Sequence, residues 1–215
     1  MKFLNKIERR HPNWGISNLM MHVCILNGIA FFIYLIKPSI LNYIFLSRDL
    51  IFAGQIWRLV SFIAYPPTLS LLWFIFAVYL YYFLGRTLEA RWGTFKFSAY
   101  YLLCMVGTII AAFITGGAYT GTYINASIFL AFAYLYPNYK IMLFFILPIE
   151  IKYLGLISLA LTLVSFIRAL LVLDFATAFA VLASFTGLIV FFGVDFINDI
   201  KLFFRRQKYK RMRRK

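Results

Sequence analysis

The sequence predicts an all-α membrane protein, a polytopic six-helix transmembrane bundle with both termini cytoplasmic. Three observations lead there. Of 215 residues, 63% are hydrophobic and 13% charged, with a mean hydropathy of +0.84. A soluble domain of this size could not hide so much apolar surface. The apolar residues fall into runs, most of them near the ~20 residues a helix needs to cross a hydrocarbon core of ~30 Å. Finally, the 22 Lys and Arg face only 7 Asp and Glu, a net charge of +15, and they gather in alternate segments.

Residues 1–15 form a basic segment before the first run. That run, 16–36, is too long for a signal-peptide core, and no small-residue cleavage site follows at IKPSILNY, so it is expected to stay. The connector KPSILNYIFLSRDLIFAGQIWRLVSFIAYPP is too rich in Leu, Ile, Phe and Trp for a solvated loop and reads as short interfacial helices and turns. Spans at 68–85 and 96–115 follow, joined by a corner at GRTLEARWGTFKF. TGGAYTGT is an uncharged turn. The fourth span, 122–136, is at most ~22 Å long at ~1.5 Å per residue, too short for the core unless other helices surround it or the bilayer thins. Spans at 153–171 and 175–197 complete the membrane domain, 16–200, and KLFFRRQKYKRMRRK, 201–215, is a basic tail with nine cations and no acid.

With the N-terminus inside, the segments 1–15, 86–96, 137–152 and the tail carry 18 of the 22 cations, leaving Lys37, Arg48, Arg58 and Arg168 outside. That bias places both termini in the cytoplasm and requires an even number of spans. Beside a membrane, the tail reads as a stop signal that touches anionic lipid or a cytoplasmic partner, and nucleic acid is not expected. Cys24 and Cys104 lie in apolar runs without metal-ligand spacing, so no metal or cofactor is expected.

Three segments carry a family resemblance. GRTLEARWGTFKF, with Gly85, Glu89 and Gly93, resembles the corner between the second and third helices of the rhomboid family. Trp57–Arg58 in QIWRLVSF resembles a pair in that family's first outer loop. YPNYKIMLFFILPIEIKYLG is similar to its connection between the fourth and fifth helices. The physics is architectural: Gly85 and Gly93 allow a reversal, and Glu89 accepts from exposed backbone donors or pairs with Arg86 or Arg91. Trp57 anchors the loop while Arg58 reaches headgroups or backbone carbonyls.

Active rhomboids are intramembrane proteases with a Ser–His pair and an oxyanion pocket. The resemblance sets Ser127 at the nucleophile, but within NASI, where Asn125 and Ile128 replace flanking glycines. Ser184 stands where the catalytic histidine belongs, Ala77 at the oxyanion asparagine and Trp73 at the accompanying histidine. A serine hydroxyl needs a base within hydrogen-bond reach. His11 precedes the first span, and His22 lies near the inner face while Ser127 begins the fourth helix near the outer one. The positions Ser127, Ser184, Trp73 and Ala77 are therefore read as vestigial. Physically Asn125 and Ser127 read first as small polar residues that pack between helices; the alternatives are an outward-facing water pocket or bonds to Ser184 or Thr186 across the core, with Gly187 letting the sixth helix approach the fourth. Asn125-Ala126-Ser127 also matches the glycosylation pattern, but at membrane depth it carries little weight.

The expectation is a non-proteolytic rhomboid-like protein, similar in role to derlins, that binds transmembrane segments of client proteins and affects their stability or trafficking. The alternatives are a membrane-embedded subunit of a transporter or larger complex, a structural subunit recruiting a partner through its tail, and an intramembrane serine protease with an atypical site at Ser127.

Overall fold

A computed structural model describes residues 14–143 and 147–193. Among these residues nine α-helices and four short strands follow one another, with irregular turns between: α1 (Leu19–Ile36), α2 (Leu41–Ile44), β1 (Leu46–Ser47), α3 (Arg48–Phe52), α4 (Arg58–Ser61), α5 (Leu71–Trp92), α6 (Thr94–Thr115), β2 (Ala118–Tyr119), α7 (Thr122–Leu135), a hairpin of β3 (Lys140–Leu143) and β4 (Leu147–Glu150), then α8 (Ile151–Leu171) and α9 (Phe175–Ser184). After a one-residue break at Phe185 the last helix resumes, so that Phe175–Gly193 forms one span. Five helices, α1, α5, α6, α8 and Phe175–Gly193, are long and apolar enough to cross a membrane. They mark an integral membrane protein. The fourth of the expected spans is the 14-residue α7.

Two helix ends differ from expectation. The second span does not stop at residue 85 but runs on to Trp92, so Gly85 is a mid-helix residue rather than part of the turn. Its role is close packing: a Cβ there would lie 2.4 Å from Met20 Cβ of α1. Gly93 alone makes the reversal, at φ 85°, a conformation that suits glycine. The region 137–152 is no plain loop. Lys140 pairs with Glu150 and Ile141 with Ile149 in an antiparallel hairpin, and Ile151 N–H donates to Tyr139 O at 2.8 Å, fixing it to the start of α8. The last span was expected to reach residue 197, but residues 194–197 lie outside the described ones, as do both termini, 1–13 and 194–215.

The connector between α1 and α5 is built of short helices and turns, as its composition implies, and part of it enters the bundle. Lys37 is extended ahead of Pro38, which ends α1. β1 pairs with β2, Leu46 opposite Tyr119, and Phe62 O accepts from Gly121 N–H at 3.1 Å. The turn Phe62–Ala64 is buried at all three residues. Arg58 is 2% exposed, with its guanidinium donating to Phe45 O (2.7 Å), Asn42 O (2.8 Å) and Gln55 Oε1 (2.8 Å). Of the two roles open to it, Arg58 takes the second, closing the loop on backbone carbonyls. Trp57 stays exposed and donates its indole N–H to Tyr43 O at 3.1 Å.

At the opposite end, the corner motif grips the start of the chain. Glu89 Oε1 accepts from Asn18 N–H (2.9 Å) and Thr94 Oγ1 (3.1 Å), beside the positive N-terminus of α6. Arg86 donates to Asn18 Oδ1, and Ile16 N–H to Ser98 Oγ at 2.9 Å. Arg86 and Arg91 do not pair with Glu89, because Arg91 instead lies over the Tyr136 ring.

Candidate functional site

Ser127 is the residue on which any chemistry would turn, and α7 positions it. Six residues of this helix are buried, Ile124, Asn125, Ser127, Ile128, Ala131 and Phe132, so α7 is enclosed by its neighbours as a short helix requires. At about 100° per residue, Asn125 and Ser127 diverge by about 200° around the axis. The two side chains therefore face different neighbours. Ser127 faces α6, whereas Asn125 is 3% exposed and its Oδ1 has no partner among the described residues.

Ser127 is fully buried. Its hydroxyl donates to Ile124 O at 2.9 Å, one turn back in its own helix. It accepts from Tyr100 OH at 3.1 Å, and Cys104 Sγ lies 3.6 Å away. Cys104 stands ten residues into the 22-residue α6, so Ser127 is level with the middle of that helix rather than near a membrane face. The reason lies in the buried turn Phe62–Ala64, which covers Gly121 and sinks the start of α7 into the bundle.

At Gly187 the last helix packs closely on α6, while it also touches α7, where the Tyr134 and Phe192 rings stand 5.1 Å apart. A Cβ on Gly187 would come 2.6 Å from Cys104 Sγ and 3.0 Å from the Tyr100 ring, and one on Gly107 would come 2.6 Å from Ala183 O. These two glycines let the helices touch. Thr186 does not reach Ser127, because its hydroxyl donates to Ala183 O at 2.6 Å and lies 3.4 Å from Leu103 O. Ser184 closes α9, and its side chain lies outside the described residues. Trp73 is exposed and Ala77 half-buried on α5. His22 is exposed near the start of α1, its Nδ1 3.0 Å from Asn18 O. His11 is outside the described residues.

Two partners of Ser127 escaped the sequence reading, Tyr100 and Cys104. The available signal was their spacing with Gly107: positions i, i+4 and i+7 fall on one face of α6. The serine hydroxyl donates to a carbonyl and accepts from a phenol, with the thiol beside it. Among the described residues no three His, Cys, Asp or Glu side chains gather as metal ligands.

Elsewhere the bundle surface carries apolar grooves. One of about 560 Å³ lies between α1 and α5, bordered by Cys24, Phe31, Phe74 and Val78, and a Cβ on Gly28 there would meet nothing within 4 Å. A second, of about 380 Å³, lies between α7, α8 and the last helix. Comparison with known proteins finds no family model, no curated protein and no solved structure that matches this chain.

Proposed function

We propose that this is a non-proteolytic, rhomboid-like membrane protein, six helices with both termini cytoplasmic, that binds transmembrane segments of other proteins. The observation that carries the reading is the Ser127 environment: fully buried, its proton donated to Ile124 O and its acceptor site filled by Tyr100. A nucleophile needs a base and a path for the substrate carbonyl, whereas the partners of this hydroxyl among the described residues are a carbonyl, a phenol and a thiol. The corner motif supports the family resemblance in kind, since Glu89 accepts a backbone N–H as expected. The short α7 and the buried connector turn support a locally thinned bilayer, which favours clients with short spans. The α1–α5 groove offers such a client an apolar seat where Gly28 leaves room for close approach.

The test has two arms in lipid vesicles. A serine-reactive fluorophosphonate should give no labelling that depends on Ser127, comparing the natural chain with Ser127→Ala. A photo-crosslinker at Ile75, which borders the groove, should capture a synthetic single-span peptide of 15 apolar residues in preference to one of 22. Ser127-dependent labelling overturns the non-proteolytic reading. Equal capture of both peptides overturns the client reading.

A further inference from the structure

A third cavity differs from the apolar grooves. It holds about 350 Å³ at the end of the bundle where α8 turns into α9, and its lining includes Tyr123, Ser165, Arg168, Asp174 and Thr177. Five polar side chains surround one opening at the end of an otherwise apolar bundle, Arg168 and Asp174 among them exposed to whatever fills it.

The two charges are held apart. Arg168 sits in the last turn of α8, and among the described residues it forms no ion pair with Asp174. Asp174 is fixed from below: its Oδ1 accepts Thr177 N–H at 3.1 Å and its Oδ2 accepts Thr177 Oγ1 at 2.7 Å. Those bonds hold its carboxyl below the ordinary carboxylate range, so it is ionised at neutral pH. Each carboxylate oxygen keeps a lone pair for another donor. Ser165 donates to Leu161 O at 2.9 Å and remains free to accept. Tyr123 is half-buried on the α7 side of the cavity. The connection Val172–Asp174 is short, with Leu173 at φ 57°, so the turn fixes Asp174 relative to Arg168.

A guanidinium and a carboxylate that share a cavity without neutralising each other match a ligand of both signs. We infer that this cavity binds a phosphate–ammonium zwitterion, the headgroup of a phospholipid, with phosphate on Arg168 and ammonium on Asp174. Guanidinium recognises phosphate through paired donors. The lipid source follows from the setting, because the large apolar side chains Leu171, Val172 and Leu173 stand exposed at the same turn, a surface suited to acyl chains beside a headgroup.

Native mass spectrometry of the full chain with added phosphatidylethanolamine tests this. Arg168→Gln and Asp174→Asn should each lower its retention about tenfold, the worth of one charge-assisted bond. Asn is a strong helix cap, so Asp174→Asn leaves the turn formed, and Arg168→Lys should recover part of the loss. Phosphatidylglycerol should behave oppositely, retained as well or better by Asp174→Asn. Any lipid held by the basic tail is common to all variants and cancels. Retention of phosphatidylethanolamine within twofold of the natural chain in both variants overturns the site. Phosphatidylglycerol binding that needs Arg168 and is as strong as that of phosphatidylethanolamine overturns the zwitterion. Displacement by glycerophosphoethanolamine, which has no acyl chains, overturns the lipid and assigns a soluble zwitterion.

Discussion

Replacing Ser127 by alanine takes the acceptor from a phenol buried between α6 and α7. Tyr100 OH bonds to Ser127, and a buried hydroxyl left without its acceptor costs about 1–3 kcal/mol. Helix–helix hydrogen bonds in membranes are worth less in pairwise cycles, about 0.6 kcal/mol on average. Ser127→Ala should therefore destabilise by about 1 kcal/mol. Tyr100→Phe on that background should cost less than it does alone, by about 0.6 kcal/mol. Unfolding by detergent titration of the four proteins measures both. Additive losses would show that the hydroxyls do not sense each other. The scarcity of candidate bases is legible in the sequence, since the chain holds only two histidines, His11 and His22, but the depth of Ser127 is not: run length puts it near the outer end, whereas it stands level with the middle of α6. Its true partners were not legible, because Tyr100 and Cys104 are 27 and 23 residues away and meet it only through tertiary packing. Arg58 is similar. A carbonyl role was foreseeable, but Phe45, Asn42 and Gln55 as its acceptors depend on how the connector folds back.

Among the elements, α7 is the most constrained, and its contact with α8 sets a sharp steric test. A Cβ on Gly155 would stand 2.5 Å from Ala133 Cβ, nearer than two carbons tolerate. Gly155→Leu should cost about 1–3 kcal/mol through overpacking, and Ala133→Gly should restore part of it by reopening the gap. Thermal unfolding in detergent reads both variants. If Gly155→Leu is neutral, α8 is free to move away from α7. The shortness of α7 was visible from run length alone, and hydropathy also located the five long helices. The hairpin β3–β4 was not visible. KIMLFFILPIE is apolar and unbroken until its proline, so periodicity cannot tell a strand from a helix there. The end of α5 was missed for a related reason. GRTLEARW is polar, and its charge density suggests a loop, although Arg, Leu, Glu and Ala all favour the helix that runs on to Trp92.

For the molecule as a whole, the distribution of apolar surface separates inner from outer helices. α8 has 11% of its most hydropathic window buried, against 44% for α6. Its inward contacts are few, including Gly155, Thr162 and Ala169 at intervals of seven residues, which a single stripe along the helix explains. Lipid or a partner span must cover the rest, since large exposed Leu, Ile and Val side chains run along it. Orientation rests on charge alone. If the cation bias rules, single cysteines at residues 2 and 213, in a chain with Cys24 and Cys104 replaced by alanine, should react with an impermeant maleimide only after inside-out vesicles are made. Reaction from the outer face at either position would contradict it.

The bonds joining residues 16 and 18 to residues 89 and 98 also impose an order on synthesis. A chain emerging from the ribosome has made all of α1 long before Glu89 and Ser98 exist. Until residues 89 to 98 have been translated, the first span has no anchor at its basic end. It must wait in the bilayer as a lone helix, held by the hydropathy of its own side chains. Only when the Gly93 hairpin enters does the beginning of the polypeptide become fastened, so nascent chains released before Thr94 should stay loosely associated and open to membrane proteases, and those released after Ser98 should resist them.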